Sequence, residues 1–232
     1  MIKKLVNKLI YGYRSDSEMY INHLRKIGAQ IGDDVTLFAP KKTNIDVLNP
    51  HLIRIGNHVN IVASTILTHD YAWSVIKGMS GEILGNQRPV SIGNNVFIGE
   101  GSVILGGVLI EDNVIIGAHS VVSGFVERNS VYAGNPAKRI MSIEDYIEKR
   151  RAKQFEEAKE FCIKYKEAKG VFPDVDKLHE YFFLFTVDRS KLTPALNEKL
   201  KLCDNYELSV AFLESHESKY ASYEDFLKDI SG

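Results

Sequence analysis

Aliphatic residues recur at every sixth position through the middle of the chain, at Ile92, Ile98, Ile104, Ile110, Ile116 and Val122. A helix repeats every 3.6 residues and a strand every two, so neither element alone explains this spacing. Four places after each of these residues stands a small or β-branched one: Val96, Ser102, Val108, Val114, Ser120 and Val126. Gly93, Gly99 and Gly117 directly follow the aliphatic position, where a tight corner with unusual dihedrals favours a residue without Cβ. Each hexad therefore predicts one short strand and one turn. Such a unit cannot bury its apolar side chain alone; three hexads close a triangular coil, and stacked coils turn the aliphatic column into a continuous core. The competing β-sandwich alternates with period two and turns at irregular intervals.

The same phase appears earlier, at Ile31-Gly32-Asp33-Asp34-Val35 and again at Ile55-Gly56-Asn57-His58-Val59. Between Phe38 and Arg54 it degrades, and Pro40 and Pro50 predict an irregular coil there. It stops at Thr68 and resumes near Val90, so residues of about 70–89 are expected to loop out of the coil. Three parts follow: an N-terminal helical segment over 1–28, a coil over 29–140 and a helical accessory region over 141–232. In the first, Ser15 or Ser17 is the expected N-cap before Met19, Ile21, Leu24 and Ile27, and Gly28 marks the end. In the last, Ile143, Tyr146, Ile147, Phe155, Ala158, Phe161 and Cys162 fall at helical spacings, with no residue pattern that suggests chemistry.

Composition narrows the partners. A formal net charge of −1 without a basic stripe argues against nucleic acid. Cys162 and Cys203 lie far apart and outside any CxxC pattern, which predicts two buried, reduced thiols and neither disulfide nor zinc site; no metal is expected. Lysines and Asn7 interrupt the apolar residues at the start, and no stretch approaches the roughly 18–20 apolar residues that span a bilayer. The expectation is a cytoplasmic protein without stable membrane insertion. A weak surface role for the first residues, with Leu5 and Leu9 opposite lysines, is the lesser alternative.

Five motifs occur in order: Ile66-Leu67-Thr68-His69-Asp70, Pro89-Val90-Ser91-Ile92-Gly93, Phe97-Ile98-Gly99, Ile116-Gly117-Ala118-His119-Ser120-Val121-Val122 and Ala133-Gly134-Asn135-Pro136-Ala137-Lys138. Over residues 15–141 the chain resembles the hexapeptide-repeat acyltransferases, in the branch of the maltose, galactoside and streptogramin acetyltransferases and many capsule-cluster O-acetyltransferases. The resemblance implies a mainly β fold, a left-handed parallel β-helix with an N-terminal helix, an active-site excursion and a C-terminal helical region. It also implies a homotrimer that transfers an acetyl group from acetyl-coenzyme A.

In that family the residue matching His69 is the catalytic base. The assignment is chemically sound, because a hydroxyl attacks a thioester poorly until its proton is removed, and imidazole titrates near neutral pH. The resemblance places the donor along a groove between subunits, against Gly99, Gly117, Ala118 and Ser123, with Lys138 and Arg139 toward the nucleotide phosphates. Phe97 and Gly124 depart from it, standing where relatives often have Trp and Lys. Asp70 and Trp73 are candidates to line the acceptor pocket. His51 and Asp33 precede His69 by one and two eighteen-residue coils, so an uninterrupted register stacks them beneath it, about 4.8 Å per coil. His51 is thus a candidate for the acceptor pocket or for orienting the base. His119 is expected to face solvent.

The favoured activity is O-acetylation of a carbohydrate, with a cell-surface or capsular unit as one candidate. N-acetylation of an amino-sugar nucleotide, acetylation of a streptogramin-type drug, and a β-helix scaffold without catalysis are the alternatives.

Overall fold

The computed structural model describes residues 2–185 and 189–231. Three parallel sheets carry the repeat. The first contains Gln30–Ile31, Ile53–Ile55, Val90–Ile92, Leu109–Ile110 and Phe125–Val126. The second contains Thr36–Phe38, Val59–Val62, Val96–Ile98, Val114–Ile116 and Ser130–Ala133, with Lys138–Ser142 added antiparallel at its end. The third contains Asn44–Ile45, Thr65–Ile66, Val103–Ile104 and Val121–Val122. The chain visits the sheets in turn, so it winds as a three-sided parallel coil.

In the regular part, Ile92 pairs with Ile110, Ile98 with Ile116 and Ile104 with Val122, eighteen residues apart in each case. That is the six-residue period multiplied by three sides. All six aliphatic residues of the column are at most 1% exposed, and the second column, from Val96 to Val126, at most 2%. Ser102 and Ser120 share that buried column because their hydroxyls donate to the Gly117 carbonyl at 3.0 and 2.6 Å. A buried hydroxyl is tolerated when so partnered.

The glycines after the aliphatic column are there for a different reason from the one expected. Gly93, Gly99 and Gly117 do not adopt the left-handed conformation. A Cβ on Gly99 would instead lie 2.6 Å from the Ala118 nitrogen in the next coil, so close stacking excludes it. The left-handed corner falls two residues later, at Asn95 (φ 53°), Gly101 (φ 72°), Gly107 (φ 87°), Asn113 (φ 59°) and His119 (φ 55°). Asn is enriched in this conformation because its short polar side chain bonds locally. Here those side chains form a ladder along the coil, with Asn95 donating to Asn113 at 2.8 Å and Asn113 to Asn129 at 2.9 Å.

The early coils are longer. Ile31 pairs with Ile55 and Ile45 with Ile66, offsets of 24 and 21 residues. The 3-10 turn Pro50–Leu52 lies within this stretch. The helix Ser17–Lys26 buries Tyr20, Ile21 and Leu24 in the same core as the coil. The Tyr20 hydroxyl accepts from the Ile45 N–H at 3.1 Å. The N-cap is Asp16, whose carboxylate accepts from the Glu18 and Met19 N–H groups, and neither Ser15 nor Ser17 takes that place. Ser17 instead accepts from the Leu37 N–H at 2.8 Å, tying helix to coil. The helix Ile2–Tyr11 precedes it; the side chain of Leu5 lies outside the described residues.

The chain forms two compact units, one up to Tyr146 and one from Ile147. The second contains most of the helix Ile143–Lys169, then Pro194–Leu200, Tyr206–Ser215 and Tyr223–Ser231. Its own core gathers Ala158, Cys162, Phe182, Leu196, Leu213 and Phe226. Over the described residues helix exceeds strand, so the β character belongs to the coil. Cys162 is buried as expected, but Cys203 is exposed, on a backbone with φ 64°. Among the described residues no helix is long and apolar enough to cross a membrane.

Candidate active site

His69 stands where the third sheet gives way to the excursion. The Leu67 N–H still bonds the Ile104 carbonyl of the next coil, at 2.9 Å, and Thr68 is fully buried. In the coil below, Asp46 directly follows the strand Asn44–Ile45, and its N–H donates to the Ile66 carbonyl at 3.0 Å. The Asp46 side chain is only 3% exposed, and its Oδ2 lies 2.5 Å from His69 Nδ1. The same oxygen accepts from the Thr68 N–H at 3.1 Å and from the Thr68 hydroxyl, while Oδ1 accepts from the Leu48 N–H at 2.9 Å.

Burial works to raise the pKa of Asp46. The Thr68 hydroxyl, the Leu48 N–H, His69 and the Thr68 N–H together outweigh it and hold the carboxyl below its ordinary value. An ionised carboxylate can only accept, so Nδ1 of His69 carries the proton that bonds it. In the neutral imidazole this leaves Nε2 without a proton and able to take one from a ligand. The His69 side chain, 16% exposed, keeps access to that ligand.

An antiparallel neck closes the excursion. The Arg88 N–H donates to the Thr68 carbonyl at 2.8 Å, His69 pairs with Gln87, and the Asp70 N–H reaches the Asn86 carbonyl at 3.3 Å. Beyond the neck the helix Trp73–Ser80 ends at Gly81 in the left-handed conformation (φ 81°), whose N–H bonds the Lys77 carbonyl. Tyr71 meets His69 edge-on, with ring centroids 5.1 Å apart at 85°. Trp73 lies one ring further out, 6.5 Å from Tyr71. Asp70 is committed to the neck: the Ala72 N–H and the Asn86 amide hold its carboxyl below the ordinary value.

His51 is not brought to this site. It is exposed in the 3-10 turn Pro50–Leu52, and Asp33, 97% exposed at its side chain, lies 3.7 Å from Arg25. Stacking by eighteen fails because this coil is three residues longer, as the pairing of Ile45 with Ile66 records. Asp46 reaches the histidine with its side chain instead. The sequence does hold a signal for it: Asp46 stands in register with Leu67 and Leu105 of the two coils above, a carboxylate in an apolar row. Tyr71, also missed, carries no comparable signal.

The expected donor residues fall into groups. Gly99, Gly117 and Ala118 meet at one corner, between the second and third sheets, with Gly99 N–H bonded to Ile116 O and Gly117 N–H to Tyr132 O, both at 2.8 Å. Lys138 and Arg139, both exposed, pair with Ala133 and Tyr132, one coil further along the same corner. Arg139 Nε lies 3.7 Å from Glu127. Ser123 is exposed but follows the third sheet, at a different corner. His119, exposed as expected, sets its ring over Gly101, where a Cβ would lie 2.5 Å from Nδ1. Among the described residues no three His, Cys, Asp or Glu side chains cluster as a metal site.

Residues 89–124 match the family described as Bacterial transferase hexapeptide (six repeats). The chain is 41% identical over 146 residues to Protein CapG of Staphylococcus aureus, covering 62% of this chain and 81% of CapG. It is 36% identical over 105 residues to the galactoside O-acetyltransferase of Escherichia coli (strain K12), spanning 44% of this chain and half of that enzyme. A maltose O-acetyltransferase structure from Clostridium difficile 630 aligns at 26% identity and a TM-score of 0.40, covering 60% of this chain and 83% of that one.

Proposed function

The chain belongs to the bacterial hexapeptide-repeat acetyltransferases and is an acyltransferase; from that premise we propose that it moves an acetyl group from acetyl-coenzyme A to a carbohydrate hydroxyl, with His69 as general base. One observation carries the reading: a buried carboxylate, Asp46, holds Nδ1 of His69 and leaves Nε2 as the free base at the neck of the excursion.

In this reading Nε2 takes the proton of the acceptor hydroxyl as its oxygen attacks the thioester carbonyl carbon. The tetrahedral intermediate then collapses, the carbon–sulfur bond breaks, and the departing thiolate recovers the proton from His69. Asp46 stabilises the imidazolium that exists between the two transfers, and it fixes the tautomer at the outset. Both proton transfers use one nitrogen, so a single well-held imidazole suffices.

The donor's pantetheine arm lies along the corner of Gly99, Gly117 and Ala118, with Lys138 and Arg139 meeting the phosphates, while Ser123 stands at a different corner, apart from this path. Family membership supports a left-handed coil and a homotrimer whose inter-subunit groove completes the site. The exposed Phe97, Leu109 and Phe125 on the coil's sides suit such an assembly. Residues 29–140 form the catalytic coil in this proposal, with 1–28 and 141–232 as accessory parts, acting in the cytoplasm, where acetyl-coenzyme A is available. The acceptor is a sugar, as the names of the galactoside and maltose enzymes suggest. The test is to incubate enzyme and acetyl-coenzyme A with sugars, amino sugars and streptogramin-type antibiotics, and to identify the product by mass spectrometry and NMR. An acetyl ester on a sugar carbon is the expected product; an amide, an acetylated drug or no transfer contradicts it.

A further inference from the structure

The neck that closes the excursion sets a second polar group beside the base. His69 and Gln87 are directly opposed in an antiparallel pair. Residues so opposed project to one side, with Cβ atoms roughly 4.5–5.5 Å apart. The neighbouring pair confirms the alternation, because Asp70 and Asn86, next along the two segments, bond each other through their side chains.

The side chains of the polar neighbours of Gln87 on its own segment lie against other residues. The Asn86 amide is spent on Asp70, and the Arg88 side chain lies over Gly107, whose Cβ would be 3.0 Å from Nη1. Gln87 is exposed, and among the described residues its amide has no protein hydrogen bond. A primary amide presents two N–H donors and one acceptor oxygen. Beside the free nitrogen of His69 it can accept from one hydroxyl and donate to another, the pattern offered by neighbouring hydroxyls on a sugar ring.

We propose that Gln87 is a specificity-determining residue that binds the hydroxyl next to the reacting one and so selects which position of a vicinal diol is acetylated. This inference rests on His69 being the base. Gln87 is not asked to move a proton, so its loss affects acceptor binding and product position and leaves the donor alone.

The test compares the wild type with Gln87→Ala and with Gln87→Met, which keeps the side chain's length. For the best sugar acceptor, acceptor KM, donor KM and kcat are measured, and the acetylated position is assigned by NMR. Loss of one such hydrogen bond should raise acceptor KM on the order of tenfold in both variants and spread the acetyl group over two positions. Donor KM should stay within about twofold, in keeping with a role confined to the acceptor. Unchanged acceptor KM with an unchanged product position overturns the proposal, as does a rise confined to donor KM. A wild type that acetylates no sugar brings down the acetyl-transfer reading together with this one, and every variant is then equally silent. A wild type that is active while His69→Ala is equally active removes the premise, whatever Gln87 does.

Discussion

Asp46 Oδ2 sits 2.5 Å from Nδ1 of His69, across 23 residues of sequence and one coil of the fold. The contact depends on backbone pairing, since Ile45 and Ile66 are in register and each is followed by a segment that leaves the sheet at the same level. An imidazole held in this way has one tautomer and one orientation before any substrate arrives, which is what a base needs in order to work without reorganisation.

Replacing Asp46 by Asn should therefore lower kcat by one to two orders of magnitude with little change in donor KM, because an amide can hold the wrong tautomer of His69. Steady-state kinetics with varied acetyl-coenzyme A checks this, and equal kcat in variant and wild type refutes the orienting role.

The same carboxylate makes stability depend on pH in one direction. Its folded pKa is lowered, so the unfolded chain binds the proton more readily. The contribution is fully present above the ordinary aspartate value of about 3.9 and is lost as pH falls through the folded value. Denaturation midpoints measured from pH 6 down to pH 3 should fall more steeply for the wild type than for Asp46→Asn.

Core and corner positions should respond differently to alanine. Ile104 is fully buried, and Ile104→Ala should cost about 2–5 kcal/mol by urea denaturation. At Gly99 the added methyl meets backbone, the Ala118 nitrogen at 2.6 Å, so Gly99→Ala should separate the coils locally and destabilise the fold despite the small change in volume. A Gly99→Ala protein as stable as the wild type contradicts the close-approach account of these glycines.

The two cysteines should separate by reactivity. Cys203 is exposed, whereas burial pushes the Cys162 thiol up to about 11. The thiolate is the reactive form, so at neutral pH Cys203 should label within minutes and Cys162 only after unfolding. Mass spectrometry of native and denatured labelling reads this directly.

The coil was legible because its period is a property of consecutive residues: Ile92 to Val122 repeat without a gap, and the pairing of every third hexad follows from closure on three sides. Cap and partner assignments were less legible because they depend on local alternatives. Asp16, Ser15 and Ser17 compete for one cap, which Asp16 takes while the Ser17 hydroxyl is engaged by the N–H of Leu37, a residue twenty positions away. The partner of His69 was not legible: a count of eighteen offers His51 and Asp33 as candidates, but the early coils have offsets of 21 and 24 residues, and the insertions shift the register. His69 was legible from its motif and its position before the excursion. Its neighbour Tyr71 was not, since nothing in the order Asp70-Tyr71-Ala72 says which way that ring turns.

The direct measurement is the rate of thiol release from acetyl-coenzyme A by His69→Ala, in the presence of a sugar that the wild-type enzyme acetylates. The account predicts a folded variant, with wild-type circular dichroism and melting behaviour, whose turnover is at least about a hundredfold lower. A folded His69→Ala protein that releases thiol at close to the wild-type rate would contradict it.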